Sequence, residues 1–344
     1  MKKNFSFYFM LAILAGMTLV FSNCTKEGPA GPAGADGTNG VNGTDGTDGV
    51  DGNALCLECH TLAKMEGIGH SYEMSQHATG DFVGYAGGRN DCAKCHSHEG
   101  FTETLRTGMD TTATSIAIPT AFSCKTCHGS HVSFDPEDGD LTPLNATAPF
   151  TLIMDDHTTT MDMGHSNLCA SCHQPRRPAP VADEDGNFAI TSSHYGPHHG
   201  PQSTVLEGIG GFEVGAGYPE PGSDVHRQQS SCLDCHVKYT PGADYGGHKF
   251  SAGVGACTTC HPDATDLDIN GKQTEIAGLT EELKVLLMAQ GVLDADGHVV
   301  PGTYTINQAG AFYNYATVVE DRSQGVHNYE YVKTLLINSI AVMQ

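Results

Sequence analysis

The residues with the clearest chemistry are cysteine pairs that are each followed directly by a histidine. The pattern Cys-x-x-Cys-His occurs six times and uses twelve of the thirteen cysteines. The copies are Cys56-Leu-Glu-Cys59-His60, Cys92-Ala-Lys-Cys95-His96, Cys124-Lys-Thr-Cys127-His128, Cys169-Ala-Ser-Cys172-His173, Cys232-Leu-Asp-Cys235-His236 and Cys257-Thr-Thr-Cys260-His261. Two thiols at this spacing can add to the two vinyl groups of a haem, and the following imidazole can then bind the iron. The motifs therefore predict six covalently attached c-type haems.

Other uses of Cys-x-x-Cys do not explain the histidines. Disulfide frameworks, zinc ribbons and thioredoxin-like redox pairs all contain the cysteine spacing, but none of them requires histidine in the next position. With 19 histidines in 344 residues, a histidine would follow all six pairs by chance with a probability on the order of 10⁻⁸. We therefore interpret the six histidines as axial ligands.

The second axial ligand of each iron decides whether that haem only passes electrons or also binds substrate. Thirteen histidines lie outside the motifs, which is enough to give every iron a second histidine. They are His70, His77, His98, His131, His157, His165, His194, His198, His199, His226, His248, His298 and His327. Bis-histidine ligation produces low-potential electron carriers without an open site. Methionine ligation at one or two haems, for example by Met74 or Met163, is the alternative.

Several segments around these histidines resemble blocks of the multihaem cytochromes c, a family whose distant members include the ammonia-forming nitrite reductases. The resemblance covers roughly residues 54–340 and identifies a class. The segments are Ser75-Gln-His77-Ala78 ahead of the second motif, His128-Gly-Ser-His131, His199-Gly-Pro-Gln202, Gly246-Gly-His248-Lys-Phe250 and Asp321-Arg-Ser-Gln-Gly-Val-His327-Asn328. It implies distal ligands at His77, His131, His199, His248 and His327.

His226 is the sixth predicted distal ligand, on spacing alone, because it precedes Cys232 by six residues. His198 competes closely with His199, and His194 is a further candidate. His70, His157 and His165 are reserves, whereas His98 and His298 are expected to face solvent. Short spacings often direct an imidazole to a neighbouring haem, so the sequence leaves open which histidine serves which iron.

The elements that must position these ligands are expected to be short. Residues 54–262 are rich in Gly, Pro, Asp and Ser and contain few long periodic segments. They predict a haem-packed multihaem cytochrome c domain that is mostly irregular, with short α-helices and little β-structure. Residues 263–344 predict a helical C-terminal segment that packs on the haem domain. Its helices are expected at 279–293, with Thr280 as a candidate cap, and at 307–320 and 328–342.

The N-terminal residues predict export and a lipid anchor. Residues 1–23 contain two lysines followed by an apolar run, as in a secretory signal peptide. Cys24, the thirteenth cysteine, stands where a bacterial lipoprotein carries its acyl chains. The alternative is an unmodified thiol near an ordinary cleavage site. Residues 24–53 combine this anchor with Gly at every third position, a collagen-like period that we interpret as a flexible tether.

Charge and ligand supply favour an electron carrier. The formal net charge of −23 argues against nucleic acid as a partner and favours redox partners with cationic patches. We expect a relay between membrane-side and periplasmic or extracellular redox partners, lipid-anchored in the cell envelope and most simply in the outer membrane. A nitrite- or hydroxylamine-type reductase with one open haem is the alternative, and it is weakened because all six motifs keep their histidine. Self-association into a cytochrome filament is the third hypothesis.

Overall fold

Short helical turns carry the cysteine motifs. The structure is a computed structural model that describes residues 56–57, 60–131, 144–239 and 247–344. The predicted signal peptide, Cys24, the tether and Cys59 lie outside these residues. The motif helices are α3 (Ala93–His96), α5 (Cys124–Cys127), α6 (Asn167–Ala170), α9 (Cys232–His236) and α10 (Val254–Cys257). One helical turn brings residues three apart onto the same face, so that both thiols of a motif can reach one porphyrin edge.

Other short helices surround the motifs. They are α1 (Leu62–Glu73), α2 (Gln76–Thr79), α4 (His98–Thr107), α7 (Gln202–Glu207) and α8 (Val225–Gln229). Side-chain caps define several of their starts, because Thr61, Ser75, Ser97 and Asp224 each accept a backbone N–H of the first turn. Single turns of π- or 3₁₀-helix occur at Val83–Gly87, Ile153–Asp155, Gly164–Ser166, Gly247–Lys249 and Ile269–Gly271.

Two small antiparallel sheets make up the extended structure of the described residues. Strands β1 (Phe150–Thr151) and β2 (Thr160–Met161) form one of them. Strands β3 (Asn187–Ile190) and β4 (Gly302–Thr305) form the other, with Asn187 opposite Thr305 and Ile190 opposite Gly302. The prediction of short helices, irregular connections and little β-structure is confirmed.

The C-terminal segment forms three longer helices, as the periodicity predicts. They are α11 (Lys272–Ala289), α12 (Ile306–Asp321) and α13 (Tyr329–Met343). Their apolar faces share one buried cluster, which includes Leu283, Leu287, Phe312 and Leu336. About 25 cal/mol is gained for each Å² of apolar surface removed from water, so this cluster stabilises the segment without any cofactor.

The start of α11 differs from the prediction at 279–293. The helix begins seven residues earlier, at Lys272, and the Asp268 carboxylate accepts the backbone N–H groups of Gln273 (2.7 Å) and Thr274 (3.1 Å). Thr280 is therefore not a cap. It lies inside the helix, and its hydroxyl donates to the Ile276 carbonyl at 2.7 Å. Asp268 does the capping from outside the first turn, so its signal in the sequence precedes the periodic stretch.

No helix among the described residues combines the length and the apolar character that crossing a bilayer would require.

Candidate haem-binding sites

Each motif histidine faces one histidine from outside the motifs. The six pairs of rings are His60–His131, His77–His173, His96–His198, His128–His248, His226–His261 and His236–His327. Their ring centroids lie 6.1 to 6.4 Å apart, with angles between the ring planes from 38° to 80°. We number the sites 1 to 6 in the order of their motifs along the chain.

The separation within each pair fits one metal ion held between two imidazoles. Imidazole nitrogens bind a metal at about 2.0 Å, and each ring centroid lies about 1.1 Å behind its nitrogen, so two opposed ligands place their centroids about 6.2 Å apart. By contrast, the neighbouring rings of His198 and His199, which do not oppose one another across such a gap, have centroids 5.0 Å apart. The donor set therefore fits the axial ligands of six haem irons.

Five of the six predicted distal histidines lie opposite a motif histidine. His131 faces site 1, His248 faces site 3, His77 faces site 4, His327 faces site 5 and His226 faces site 6. None of these five histidines faces the motif that is nearest to it in the sequence. His77, for example, precedes the second motif but lies opposite the fourth. The structure thus supplies the pairing that the sequence left open.

At site 2 the histidine opposite the motif is not the predicted one. His198 faces His96 at 6.1 Å, whereas His199 directs its Nδ1 to Glu320 at 2.7 Å and stacks on Phe82. The side chain of His199 is 58% exposed. His198, the residue before His199, has a left-handed backbone conformation with φ of 69°. This turn separates the directions of two adjacent imidazoles and makes His198 the better candidate.

The remaining histidines and methionines considered as ligands have other surroundings. His98 Nδ1 lies 2.7 Å from the Thr126 hydroxyl, and His157 Nδ1 lies 2.9 Å from that of Thr151. Met163 is buried in a small apolar cluster with Leu152, whereas Met74 is exposed. His70, His165, His194 and His298 likewise take no part in the six facing pairs.

Hydrogen bonds orient several of the facing imidazoles through Nδ1. His226 Nδ1 lies 2.7 Å from the Val326 carbonyl, and His236 Nδ1 lies 3.0 Å from that of Phe250. His173 Nδ1 lies 3.2 Å from Gln202 Oε1. A metal-binding histidine usually donates its second ring N–H in this way, which leaves the Nε2 lone pair for the metal.

Burial lowers the pKa of six of the twelve facing imidazoles and so favours their neutral form, which is the form that binds a metal. It lowers the pKa of His77, with a contribution from His173, to about 4. It also lowers the pKa of His198, with contributions from His199 and His96, to about 4. His327 is different: burial lowers its pKa, but Asp321 more than offsets this, and the pKa is raised.

Apolar and aromatic side chains line the spaces beside the pairs. The ring centroids of Phe122 and Phe250 lie 5.6 and 4.9 Å from that of His77. Phe250 also contacts His248 at 5.8 Å, and Phe82 contacts His96 at 6.4 Å. Flat, apolar walls next to a pair of imidazoles are suited to a porphyrin ring.

The six sites are close to one another. Arg176, which follows the motif of site 4, binds Asp91 next to the motif of site 2 at 3.1 Å. The Cys232 N–H of site 5 donates to the Ser166 hydroxyl, just ahead of the motif of site 4, at 2.9 Å. The Phe250 ring contacts both His77 of site 4 and His248 of site 3, so site 3 lies beside site 4. These contacts place site 4 next to three other sites.

Two further contacts connect the ends of this group. The helices α9 and α10, which carry cysteines of sites 5 and 6, are in contact, so that site 5 adjoins site 6. His131, which faces site 1, comes three residues after the motif histidine of site 3. The described contacts therefore join all six sites into one group.

Comparisons with known proteins agree with this geometry. No protein-family model matches the chain. The C-type polyheme cytochrome OmcC of Geobacter sulfurreducens is 24% identical over 330 residues, which cover 73% of this chain and 42% of OmcC. The C-type polyheme cytochrome OmcB of the same species is 26% identical over 239 residues, which cover 52% of this chain and 31% of OmcB. The chain thus spans less than half the length of these relatives.

A solved structure shares the fold. The outer cell wall cytochrome OcwA superposes with a TM-score of 0.51 at 21% sequence identity, over 80% of this chain and 50% of OcwA. The sequence relatives are c-type polyheme cytochromes by name and OcwA shares the fold, which agrees with the resemblance to multihaem cytochromes c. The finer resemblance to nitrite reductases remains a prediction.

Proposed function

Starting from this relationship to multihaem c-type cytochromes, we propose that the chain attaches six haems and acts as an electron-transfer relay. The observation that carries the proposal is the set of six facing histidine pairs, one for every Cys-x-x-Cys-His motif, with centroids 6.1 to 6.4 Å apart. Bound haem would supply reversible one-electron chemistry, while the protein sets its orientation, spacing and potential.

The proposed thioether attachments are the twelve motif cysteines. They are Cys56, Cys59, Cys92, Cys95, Cys124, Cys127, Cys169, Cys172, Cys232, Cys235, Cys257 and Cys260. The proposed proximal ligands are His60, His96, His128, His173, His236 and His261. The proposed distal ligands are, in the order of sites 1 to 6, His131, His198, His248, His77, His327 and His226. His198 replaces the predicted His199.

The contacts between motifs support a connected relay. Site 4 adjoins site 2 through the contact of Arg176 with Asp91, site 3 through Phe250, and site 5 through the contact of Ser166 with Cys232. Sites 1 and 6 are then the ends of the group, whereas site 2 adjoins site 3 as well as site 4, because His98 Nδ1 lies 2.7 Å from the Thr126 hydroxyl. Electrons could enter at one end and leave at another, with site 4 as the common point.

The same histidine pairs weigh against a reductase with an open haem. An enzyme of that type needs one iron face free for substrate, and therefore one motif histidine without an opposing ligand. In this chain each motif histidine has an opposing imidazole. We therefore propose an electron carrier and not an enzyme.

We further propose that the chain is exported and attached to the cell envelope through acylated Cys24. The apolar run of residues 5–21 ahead of Cys24 and the Gly-rich residues that follow support this arrangement. Redox proteins with cationic docking patches are the proposed partners, since the chain carries 40 acidic and 17 basic residues. Membrane fractionation of a Cys24→Ser variant tests the anchor, because release into the soluble fraction is expected.

Haem counting and electron paramagnetic resonance test the relay. Intact mass of the exported protein is expected to show six covalent haems. The oxidised protein is expected to give only low-spin ferric signals of the bis-histidine type. A mass with fewer haems would contradict the attachment proposal, and a high-spin ferric signal that responds to nitrite or hydroxylamine would replace the relay by the reductase.

A further inference from the structure

A buried carboxylate holds the proposed distal ligand of site 5. Asp321 is the last residue of α12, and its side chain is 1% exposed. Its Oδ1 lies 2.6 Å from His327 Nδ1, and its Oδ2 accepts a hydrogen bond from the Ser323 hydroxyl. The Ser323 hydroxyl also accepts the backbone N–H of His327 at 3.3 Å. The turn therefore fixes both the carboxylate and the imidazole.

The other facing imidazoles with a described Nδ1 partner have neutral acceptors. Those acceptors are the Val326 and Phe250 carbonyls at His226 and His236, and the Gln202 side-chain oxygen at His173. The carboxylate at Glu320 does bind an imidazole, but it binds His199, which faces no motif histidine. Among these described contacts, site 5 is set apart by a full negative charge behind its ligand.

On the basis of the proposed function, we propose that Asp321 is a positioning residue that lowers the reduction potential of the haem at site 5. A carboxylate that accepts the Nδ1–H makes the imidazole a stronger electron donor at Nε2. The ferric iron carries one more positive charge than the ferrous iron, and the nearby negative charge stabilises it more. Reduction adds one electron to the iron, and the Nδ1 proton stays on His327 in both states.

The test is a mediated redox titration of the holoprotein and of its Asp321→Asn variant. Asparagine keeps the shape and an oxygen acceptor for His327 Nδ1 but removes the charge. At a fixed potential we expect the ferric-to-ferrous ratio of one of the six haems to fall at least tenfold. For a one-electron couple, a tenfold fall corresponds to a rise of about 59 mV in the reduction potential of that haem. The low-spin signal of that haem should persist.

Glu320→Gln is the matched control, since it removes a carboxylate from the adjacent position of the same helix. It leaves His327 and its acceptor in place, so we expect the ferric-to-ferrous ratio of the haem that responds to Asp321→Asn to change less than threefold. An equal shift in both variants would overturn the proposal, because the effect would then come from total charge and not from the contact with His327.

Ser323→Ala provides a second test with the opposite sign. Removing the Ser323 hydroxyl leaves the Asp321 carboxylate with one hydrogen-bond donor fewer, so its interaction with His327 strengthens and the ferric-to-ferrous ratio of one haem is expected to rise. This variant decides the question if Asp321→Asn fails to mature. No shift in either variant, with six low-spin haems intact, would overturn the role of Asp321 alone. Fewer than six haems or a high-spin signal in the unmodified protein would instead contradict the proposed function.

Discussion

The choice between two adjacent histidines illustrates what a single residue contributes. His198 and His199 have the same side chain, yet His198 faces His96 while His199 binds Glu320. The left-handed backbone at His198, with φ of 69°, separates the two ring directions. Left-handed conformations are uncommon outside glycine, and nothing in the local sequence marks this one. The sequence therefore favoured His199 with His198 as its close competitor, and it gave no sign of the backbone turn that directs His198 towards His96.

We expect His198→Ala and His199→Ala to differ sharply although they change neighbouring residues in the same way. His198→Ala should leave site 2 with one imidazole, so a high-spin ferric signal from one of the six haems is expected in electron paramagnetic resonance. His199→Ala should leave the spectrum low-spin, because its ring faces Glu320 and Phe82. The reverse pattern would restore His199 as the ligand.

At the scale of the elements, close packing explains two of the glycines. A Cβ at Gly100 of α4 would lie 2.2 Å from the Ala93 carbonyl oxygen on α3, so only glycine allows this approach to the helix of the second motif. A Cβ at Gly310 of α12 would lie 2.0 Å from the Phe212 ring. Phe212 has little room to move, since its N–H and C=O both bind the buried Asn314 side chain, at 2.7 and 2.8 Å.

Gly310→Ala is therefore expected to destabilise the protein by about 1–3 kcal/mol, the usual cost of overpacking a core. Gly278 on α11 is the matched control, because a Cβ there would meet nothing within 4 Å. Gly278→Ala should stabilise the protein by up to about 1 kcal/mol through its higher helix propensity. Thermal unfolding of the mature proteins measures both effects, and equal melting temperatures for the two variants would contradict the prediction.

The elements differ in how far their sequence determines them. The helices α11, α12 and α13 were predictable because apolar residues recur at helical spacing and meet in one cluster. The pairing of β3 with β4 was not, since it joins residues 187–190 to residues 302–305 and depends on contacts far apart in the chain. The assignment of distal histidines to sites depends on equally remote contacts, such as that of His128 with His248.

At the scale of the whole molecule, net charge is expected to control encounters with redox partners. The chain has 40 acidic and 17 basic residues. Such an excess attracts cationic partners over a distance set by the Debye length, which is about 10 Å at 0.1 M salt and about 3 Å at 1 M. This property could be predicted from composition without any knowledge of the fold.

Oxidation of the reduced protein by two small complexes of opposite charge tests the charge effect. The rate with the cation hexaammineruthenium(III) is expected to fall about tenfold between 0.01 M and 0.5 M salt, because attraction is screened. The rate with the anion ferricyanide should rise over the same range, because repulsion is screened. Stopped-flow absorbance of the haems measures both rates. Parallel salt dependences would show that net charge does not control the encounter.

The histidine pairs also overlap along the chain, and this has a consequence for the integrity of the protein. His77 lies between His60 and His131 in sequence but faces His173. The pairs further along interleave in the same way, because His236 lies between His226 and His261 but faces His327. With an iron atom in each pair, these overlaps become interlocked crosslinks that constrain the unfolded chain as disulfides do. A protease cut in one surface loop would then leave the two fragments joined through several irons, and the cut protein would keep its shape until axial ligation is lost.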